Sequence, residues 1–385
     1  MQAKYRQRTL VAALASLVIA AMAGLVIAAH AEQTIRSGRL ELLRDVEEEG
    51  FRRAKTVRPF RFPEDHGPHP GYRHEWWYVT GNLDGPAGRR FGFELTFFRL
   101  ALVPEQSEAV QEPQSAWKTP LAFAAHFAIT DVANDAFQFA HRYSRGDGRL
   151  AGATGDPVRV WLEDWFLEQS AEGWRLQAND GGALRLALEL SAVKPPALHG
   201  ERGLSRKSAE PGNATYYYSL PRLESSGTLE IEGRSHAVQG LAWLDHEWGT
   251  SALASDQQGW DWFALHLSDG SDLMFYNLRK LDGSRHAFSA GTWIEPDGEA
   301  TPFGAGDVSI EILDYWDSPL GGRYPSGWRL TLPARNLELT IHPVVEDQEL
   351  NTRPRYWEGA VDVAGQRDGV ALRGRGYVEL TGYAQ

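Results

Sequence analysis

Histidine, carboxylate and tryptophan crowd together twice in this chain. Residues 62–83, FPEDHGPHPGYRHEWWYVTGNL, set Asp65, His66, His69, His74 and Glu75 beside Trp76, Trp77 and Tyr78. Residues 240–250, GLAWLDHEWGT, repeat the triplet His-Glu-Trp and hold Trp243, Asp245, His246, Glu247 and Trp248. A carboxyl group buried among rings keeps its proton to higher pH, because its charged form loses hydration. Such an acid can protonate an unactivated alkene, and aromatic faces can hold the positive charge that develops. Glu75, Asp245, Glu247 and Asp261 are acids of this kind, with Trp260 and Trp262 adding to the supply of rings. The plainer alternative is that Glu75 and Glu247 pair with Arg or His and that the tryptophans are ordinary barrel packing.

Other chemistries find less support. His66, His69, His74 and His246 could contribute to a zinc site. No pair has the H-E-x-x-H or H-x-H spacing that fixes two imidazoles on one face, so no metal is expected. A serine hydrolase needs its nucleophile on a strained turn, and G-x-S-x-G does not occur. Ser251, after Gly249 and Thr250, is a poor substitute.

The elements that would position these residues read as strands. Short alternating runs broken by Gly and Pro are common, and helical heptads are nearly absent. Phe91, Phe93, Leu95 and Phe97 alternate with Gly92, Glu94 and Thr96, one face apolar and the other polar. Residues 74–83 and 91–100 flank a loop that opens with Asp84-Gly85, a hairpin pattern. Residues 260–267, Asp269-Gly270 and 272–278 repeat it. Between them the spacing predicts strands at 121–130, 137–143, 158–167, 174–179, 184–190, 215–220 and 227–238. After them it predicts strands at 287–294, 308–313, 328–332, 337–342, 356–364 and 374–383. The fold class expected is all-β, with two antiparallel β-barrels at 58–240 and 241–385.

The chain of 385 residues, with 14 Trp and no Cys, must be stabilised by packing without disulfides. Residues 1–31 are built like a signal peptide: Lys4, Arg6 and Arg8, then an apolar run closing on Ala29-His30-Ala31. The expected location is periplasmic or secreted, with an uncleaved N-terminal anchor as the alternative. Residues 32–57 are charged and form a linker, with a short helix expected at 36–55. Without residues 1–31 the balance is 36 basic to 51 acidic residues. So acidic a surface disfavours nucleic acid and anionic headgroups, but not a neutral apolar ligand held inside.

FPEDHGPHPGYRHEWWYVTGNL, GLAWLDHEWG, YWEGAVDV and the terminal GRGYVELTGY, in that order, resemble the bacterial family that joins carotenoid 1,2-hydratases with AttH-type secreted proteins. The resemblance covers about residues 58–385. It implies two lipocalin-like barrels packed together, with a pocket near the two His-Glu-Trp clusters. The hydratase branch adds water across the terminal double bond of acyclic carotenoids without metal or organic cofactor. By that resemblance His246 and Trp248 match an implicated His-x-Trp pair, and Tyr276 matches the tyrosine of a Tyr-x-Asp pair. Leu278 stands where the aspartate would be.

Two functions of different class follow. One is binding of a lipid- or isoprenoid-like ligand by His74, Trp76, Trp77, Tyr78, Trp243, Asp245, Trp248 and Trp262, with an inner-membrane transporter as a candidate partner. The other is a cofactor-free hydratase, isomerase or cyclase, with Glu75, His246, Glu247 and Tyr276 as its catalytic groups. An acid with a raised pKa at the pocket floor would favour the enzyme. A wholly apolar cavity would favour the carrier.

Overall fold

The computed structural model describes residues 50–107 and 119–384. The expected signal peptide and most of the charged linker lie outside these residues. Of the helix expected at 36–55, residues 50–55 are described, and they are not helical.

Thirteen strands form the first sheet: β1 (His74–Asp84), β2 (Arg90–Ala101), β3 (Leu121–Asp131), β4 (Ala136–Arg145), β5 (Ala151–Gly155), β6 (Val158–Leu162), β7 (Trp165–Ser170), β8 (Gly173–Asn179), β9 (Leu184–Ala192), β10 (Ala197–Leu198), β11 (Leu204–Arg206), β12 (Ala214–Ile231) and β13 (Arg234–Gly249). They run in the order β4-β3-β2-β1-β13-β12-β9-β8-β7-β6-β5, with β10 and β11 also on β12, and curl into a nearly closed barrel. The second sheet holds β14 (Gln257–Leu267), β15 (Asp272–Lys280), β16 (Ala290–Ile294), β17 (Ala300–Gly304), β18 (Ser309–Asp317), β19 (Arg323–Leu332), β20 (Leu337–Pro343), β21 (Glu349–Leu350), β22 (Tyr356–Arg367) and β23 (Val370–Leu380). Its order is β17-β16-β15-β14-β23-β22-β20-β19-β18, and it is a half-barrel rather than a closed one. All pairings are antiparallel, as alternation with short Gly-bearing turns dictates.

Three expectations need correction in detail. Residues 158–167 are not one strand, because Glu163 takes a left-handed conformation (φ 59°) and turns β6 into β7. Residues 227–238 contain a hairpin turn at Glu232-Gly233, both with positive φ, which joins β12 to β13. The boundary expected at 240/241 falls inside β13. A Cβ at Gly240 would sit 2.0 Å from the Asn82 carbonyl, so this glycine permits close strand packing and does not end the strand. The chain changes sheet between Gly249 and Gln257.

The core has three parts. Trp77, Val79, Leu83, Leu244 and Trp248 belong to the cluster that fills the barrel, and Phe263, Trp328 and Trp357 to the one that fills the half-barrel. Tyr78, Tyr217, Trp243, Trp262, Tyr276 and Tyr377 pack between the sheets. Polar contacts tie the same interface. Lys194 and Arg222 both reach Asp272, at 2.7 Å each, and Asn82 donates to the Gly376 carbonyl at 2.9 Å. The register shift between Leu220 and Leu223, at Pro221, turns Arg222 toward the second sheet.

Candidate functional site

Strand β1 and the second half of β13, residues 242–249, have both faces buried, so side-chain parity decides which residues can meet. Glu75 pairs with Trp248, and Trp77 with His246, on the face that looks into the barrel. Trp76 pairs with Glu247, and Tyr78 with Asp245, on the face turned toward the half-barrel. The residues expected to form one site therefore form two clusters, back to back.

The inner cluster is a closed ion-pair network. Glu75, fully buried, accepts from His69 Nδ1 at 2.7 Å and His246 Nε2 at 2.9 Å on one oxygen. Its other oxygen takes Arg99 Nε at 2.8 Å and the His69 backbone N–H at 3.0 Å. His69 Nε2 faces Asp65 Oδ1 at 3.1 Å, and Arg58 forks onto the same Asp65 at 2.6 and 3.1 Å. Burial opposes the charge on Glu75, but Arg99 and the bonds from His246 and His69 hold its pKa well below the usual carboxylate range. Burial likewise opposes a charged His69, yet Asp65 and Glu75 raise its pKa. With both ring nitrogens facing carboxylates, His69 is an imidazolium. His246 has its pKa lowered by burial. Its Nε2 meets Glu75, and its Nδ1 lies 3.1 Å from both the Asp65 carbonyl and the Tyr218 hydroxyl, which also meets His66 Nδ1 at 2.6 Å. His69 stacks on Trp248 (3.6 Å, 5°), and Trp77 on His246 (4.7 Å, 21°).

His69, Glu75 and His246 are the group among the described residues that could hold a metal, their ligand atoms lying within 4.8 Å of one another. The Arg99 guanidinium on Glu75 works against adding a dication there. The acceptor sites of Glu75 are taken up within the protein.

The outer face differs. Phe98, Trp76, Glu247 and Tyr217 form one cross-strand row on the first sheet, and Thr96, Tyr78, Asp245 and Ser219 form the next. Opposite them, the second sheet presents the row Tyr276, Trp262, Glu379 and Glu358. Between the two lies a cavity of ≈ 80 Å³, bounded by Trp76, Tyr78, Asp245, Glu247, Trp262 and Tyr276, together with Lys207, Tyr217, Trp260, Tyr356 and Glu379. Half-buried Trp76, Phe98, Trp260 and Glu379 stand at its mouth. Leu278, in the position where the resemblance calls for an acid, also lines it.

The acids here are held toward their neutral forms. Burial, with the charge of Glu247 nearby, pushes Asp245 up to about 7, against hydrogen bonds from Ser219, Tyr217 (2.5 Å) and Trp243 (2.6 Å). Burial and the charges of Asp245 and Glu247 push Glu379 up to about 7 as well. Against them stands one bond, from Trp260 Nε1 at 3.1 Å to Oε2. With fewer bonds stabilising its carboxylate, Glu379 is the freer proton donor of the two. Deeper between the sheets, burial raises Glu358 and Glu94 well above the normal range, and Tyr78 donates to Glu358. Glu247 is paired with Lys207 Nζ at 2.9 Å. The Tyr276 hydroxyl meets Ser205 at 2.9 Å.

Of the residues picked from sequence, Trp76, Tyr78, Asp245, Glu247, Trp262 and Tyr276 converge on the cavity. Trp243 lies beneath it, bound to Asp245, and His74 is buried beside Trp76. Glu75, Trp77, His246 and Trp248 face the other way. Asp261 is taken by Arg279 at 2.9 Å. Sequence reasoning passed over Glu379 and Lys207. Glu379 had a signal: it alternates with Tyr377 opposite the apolar Val378 and Leu380 on a strand already recognised as a motif. Lys207 lies between the strands expected at 184–190 and 215–220 and had none.

A barrel and a half-barrel of antiparallel strands, packed face to face over buried carboxylates and aromatics, define a two-sheet lipocalin-like protein. The AttH-like family model matches residues 53–383, and the chain belongs to that family. An AttH protein from Nitrosomonas europaea has a crystal structure with 34% identity and a TM-score of 0.76, over 87% of this chain and 100% of that one. Kievitone hydratase from Nectria haematococca shares the fold at 15% identity and a TM-score of 0.64, over 88% of this chain and 98% of that one. No curated protein sequence matches.

Proposed function

We propose that the cavity between the sheets binds the alkene end of an apolar molecule and hydrates it by acid catalysis. The observation that carries this reading is the presence of Asp245 and Glu379, both pushed up to about 7, on one wall system with Trp76, Trp260 and Trp262. A carrier would need only the rings. A carboxylic acid kept neutral near physiological pH beside them is suited to proton donation.

The Glu379 O–H proton passes to the less substituted alkene carbon, forming a C–H bond as the π bond breaks. The cation on the other carbon is held against the faces of Trp76, Trp260 and Trp262. Water adds to that carbon and returns a proton to the Glu379 carboxylate, so the acid is restored. The similarity in fold to a protein named as a hydratase agrees with this chemistry. A cavity of ≈ 80 Å³ accepts a short branched end, with the rest of the molecule leaving past Trp76 and Trp260.

The test is incubation with acyclic isoprenoids ending in a dimethyl-substituted alkene, in water enriched in heavy oxygen. The expected product is a tertiary alcohol carrying the heavy isotope, absent with Glu379→Gln. Saturable binding with no product and no isotope exchange would instead leave a binding protein. Export is part of the proposal, resting on the composition of residues 1–31, and N-terminal sequencing of the mature protein from the periplasm tests it.

A further inference from the structure

Lys207 is a cation in a wall otherwise made of rings and acids, and hydrocarbon chemistry gives it nothing to do. Its backbone is fixed at both ends: its N–H donates to the Asn213 carbonyl at 2.9 Å, and its carbonyl accepts from Gln257 Nε2 at 2.7 Å. Its side chain is 7% exposed and borders the cavity. An ammonium has three N–H donors. One goes to Glu247 Oε1 at 2.9 Å and one to Ser205 Oγ at 3.1 Å. Its remaining neighbours are the Tyr276 and Tyr217 rings, at 4.4 and 5.6 Å, and no third oxygen acceptor for it is found among the described residues.

We infer that Lys207 Nζ is an oxygen-binding subsite, and that the ligand of this cavity carries a neutral oxygen a few bonds from its alkene. This rests on the cavity being the ligand site and names the class of molecule it takes: an oxygenated isoprenoid end, not a plain polyene. A buried N–H that faces only rings recovers less of its lost hydration than one that meets an oxygen acceptor, so a pure hydrocarbon is disfavoured here. An anionic head is disfavoured too. The one ammonium already faces Glu247, and Asp245 and Glu379 border the same small space. A hydroxyl, ether or carbonyl oxygen satisfies the free donor without adding negative charge.

Three probes that share one isoprenoid end separate the cases: prenyl alcohol, the hydrocarbon in which methyl replaces its hydroxyl, and the acid in which carboxylate replaces it. Their affinities for the full chain are measured by tryptophan quenching or calorimetry. The alcohol is expected to bind at least tenfold tighter than the hydrocarbon and tighter than the carboxylate. Lys207→Met should bring the alcohol-to-hydrocarbon ratio close to one while leaving hydrocarbon affinity in place. Because Lys207→Met strands Glu247, the double variant Lys207→Met, Glu247→Gln removes both charges, and its circular dichroism and hydrocarbon affinity report an intact cavity. An unchanged ratio in both variants, or tightest binding of the carboxylate, would overturn the subsite and leave the cavity reading standing. Failure of every probe to bind would overturn both.

Discussion

Two groups of carboxylates sit about one strand's thickness apart, on opposite faces of β1 and β13, and their surroundings push them in opposite directions. In the barrel, Glu75 and Asp65 meet Arg99, Arg58 and the His69 imidazolium, and their pKa values are depressed. Between the sheets, Asp245 and Glu379 meet mainly indole and phenol donors, and theirs are raised. Glu75 is fully buried yet depressed and Glu379 is half-buried yet raised, so burial does not decide the direction and the supply of cations does. A paired, fully hydrogen-bonded carboxylate holds a structure together, whereas an unpaired one retains a proton it can give away.

The largest effect expected on the barrel side is from Glu75→Gln. It leaves Arg99 and the two histidines facing an amide, and should cost about 3–5 kcal/mol in chemical denaturation. A loss below about 1 kcal/mol would remove the contrast. On the cavity side, Glu379→Gln should lower hydration at least a hundredfold, about 2.7 kcal/mol of barrier, while the protein stays folded.

The two sides also respond oppositely to pH. Glu379 binds its proton more tightly folded than unfolded, so its contribution to stability is complete below about pH 4.5 and is lost as pH rises to about 7. Glu379→Gln should therefore match the wild type near pH 4 and exceed it by ~1–3 kcal/mol at pH 8. The depressed Glu75 works the other way, contributing above pH 4.5 and losing that contribution as pH falls. Denaturation curves for Glu75→Gln and Glu379→Gln across this range check both signs. The smallest effect is at the mouth: Trp76→Leu should weaken isoprenoid binding about tenfold, ~1.4 kcal/mol, with little change in stability. Trp248→Ala, on the other face, should lower stability and leave the cavity's selectivity alone.

Much of the architecture was legible because strand alternation is a local signal. Phe91 to Phe97 face the barrel core as their spacing requires, and both Asp-Gly hairpins close where expected. Strand ends were less legible, since Gly240 looks like a turn until the nearness of Asn82 is known. At the site, residue types were readable but their grouping was not taken from the pattern. Neighbours in Glu-Trp-Trp-Tyr and Asp-His-Glu-Trp point to opposite faces once they lie on strands, which splits each motif between the two clusters. Glu379 and Lys207 join the cavity only through the packing of one sheet on the other, a contact no short stretch of sequence encodes.

The most direct test is infrared difference spectroscopy of the wild type against Glu379→Gln as pH is varied, since it needs no knowledge of the substrate. A protonated-carboxyl band should be present at pH 6, be missing from the variant, and titrate with a midpoint near 7. A group already ionised at pH 6, with a midpoint close to the ordinary 4.5, would contradict the claim that this cavity holds an acid ready to give up its proton.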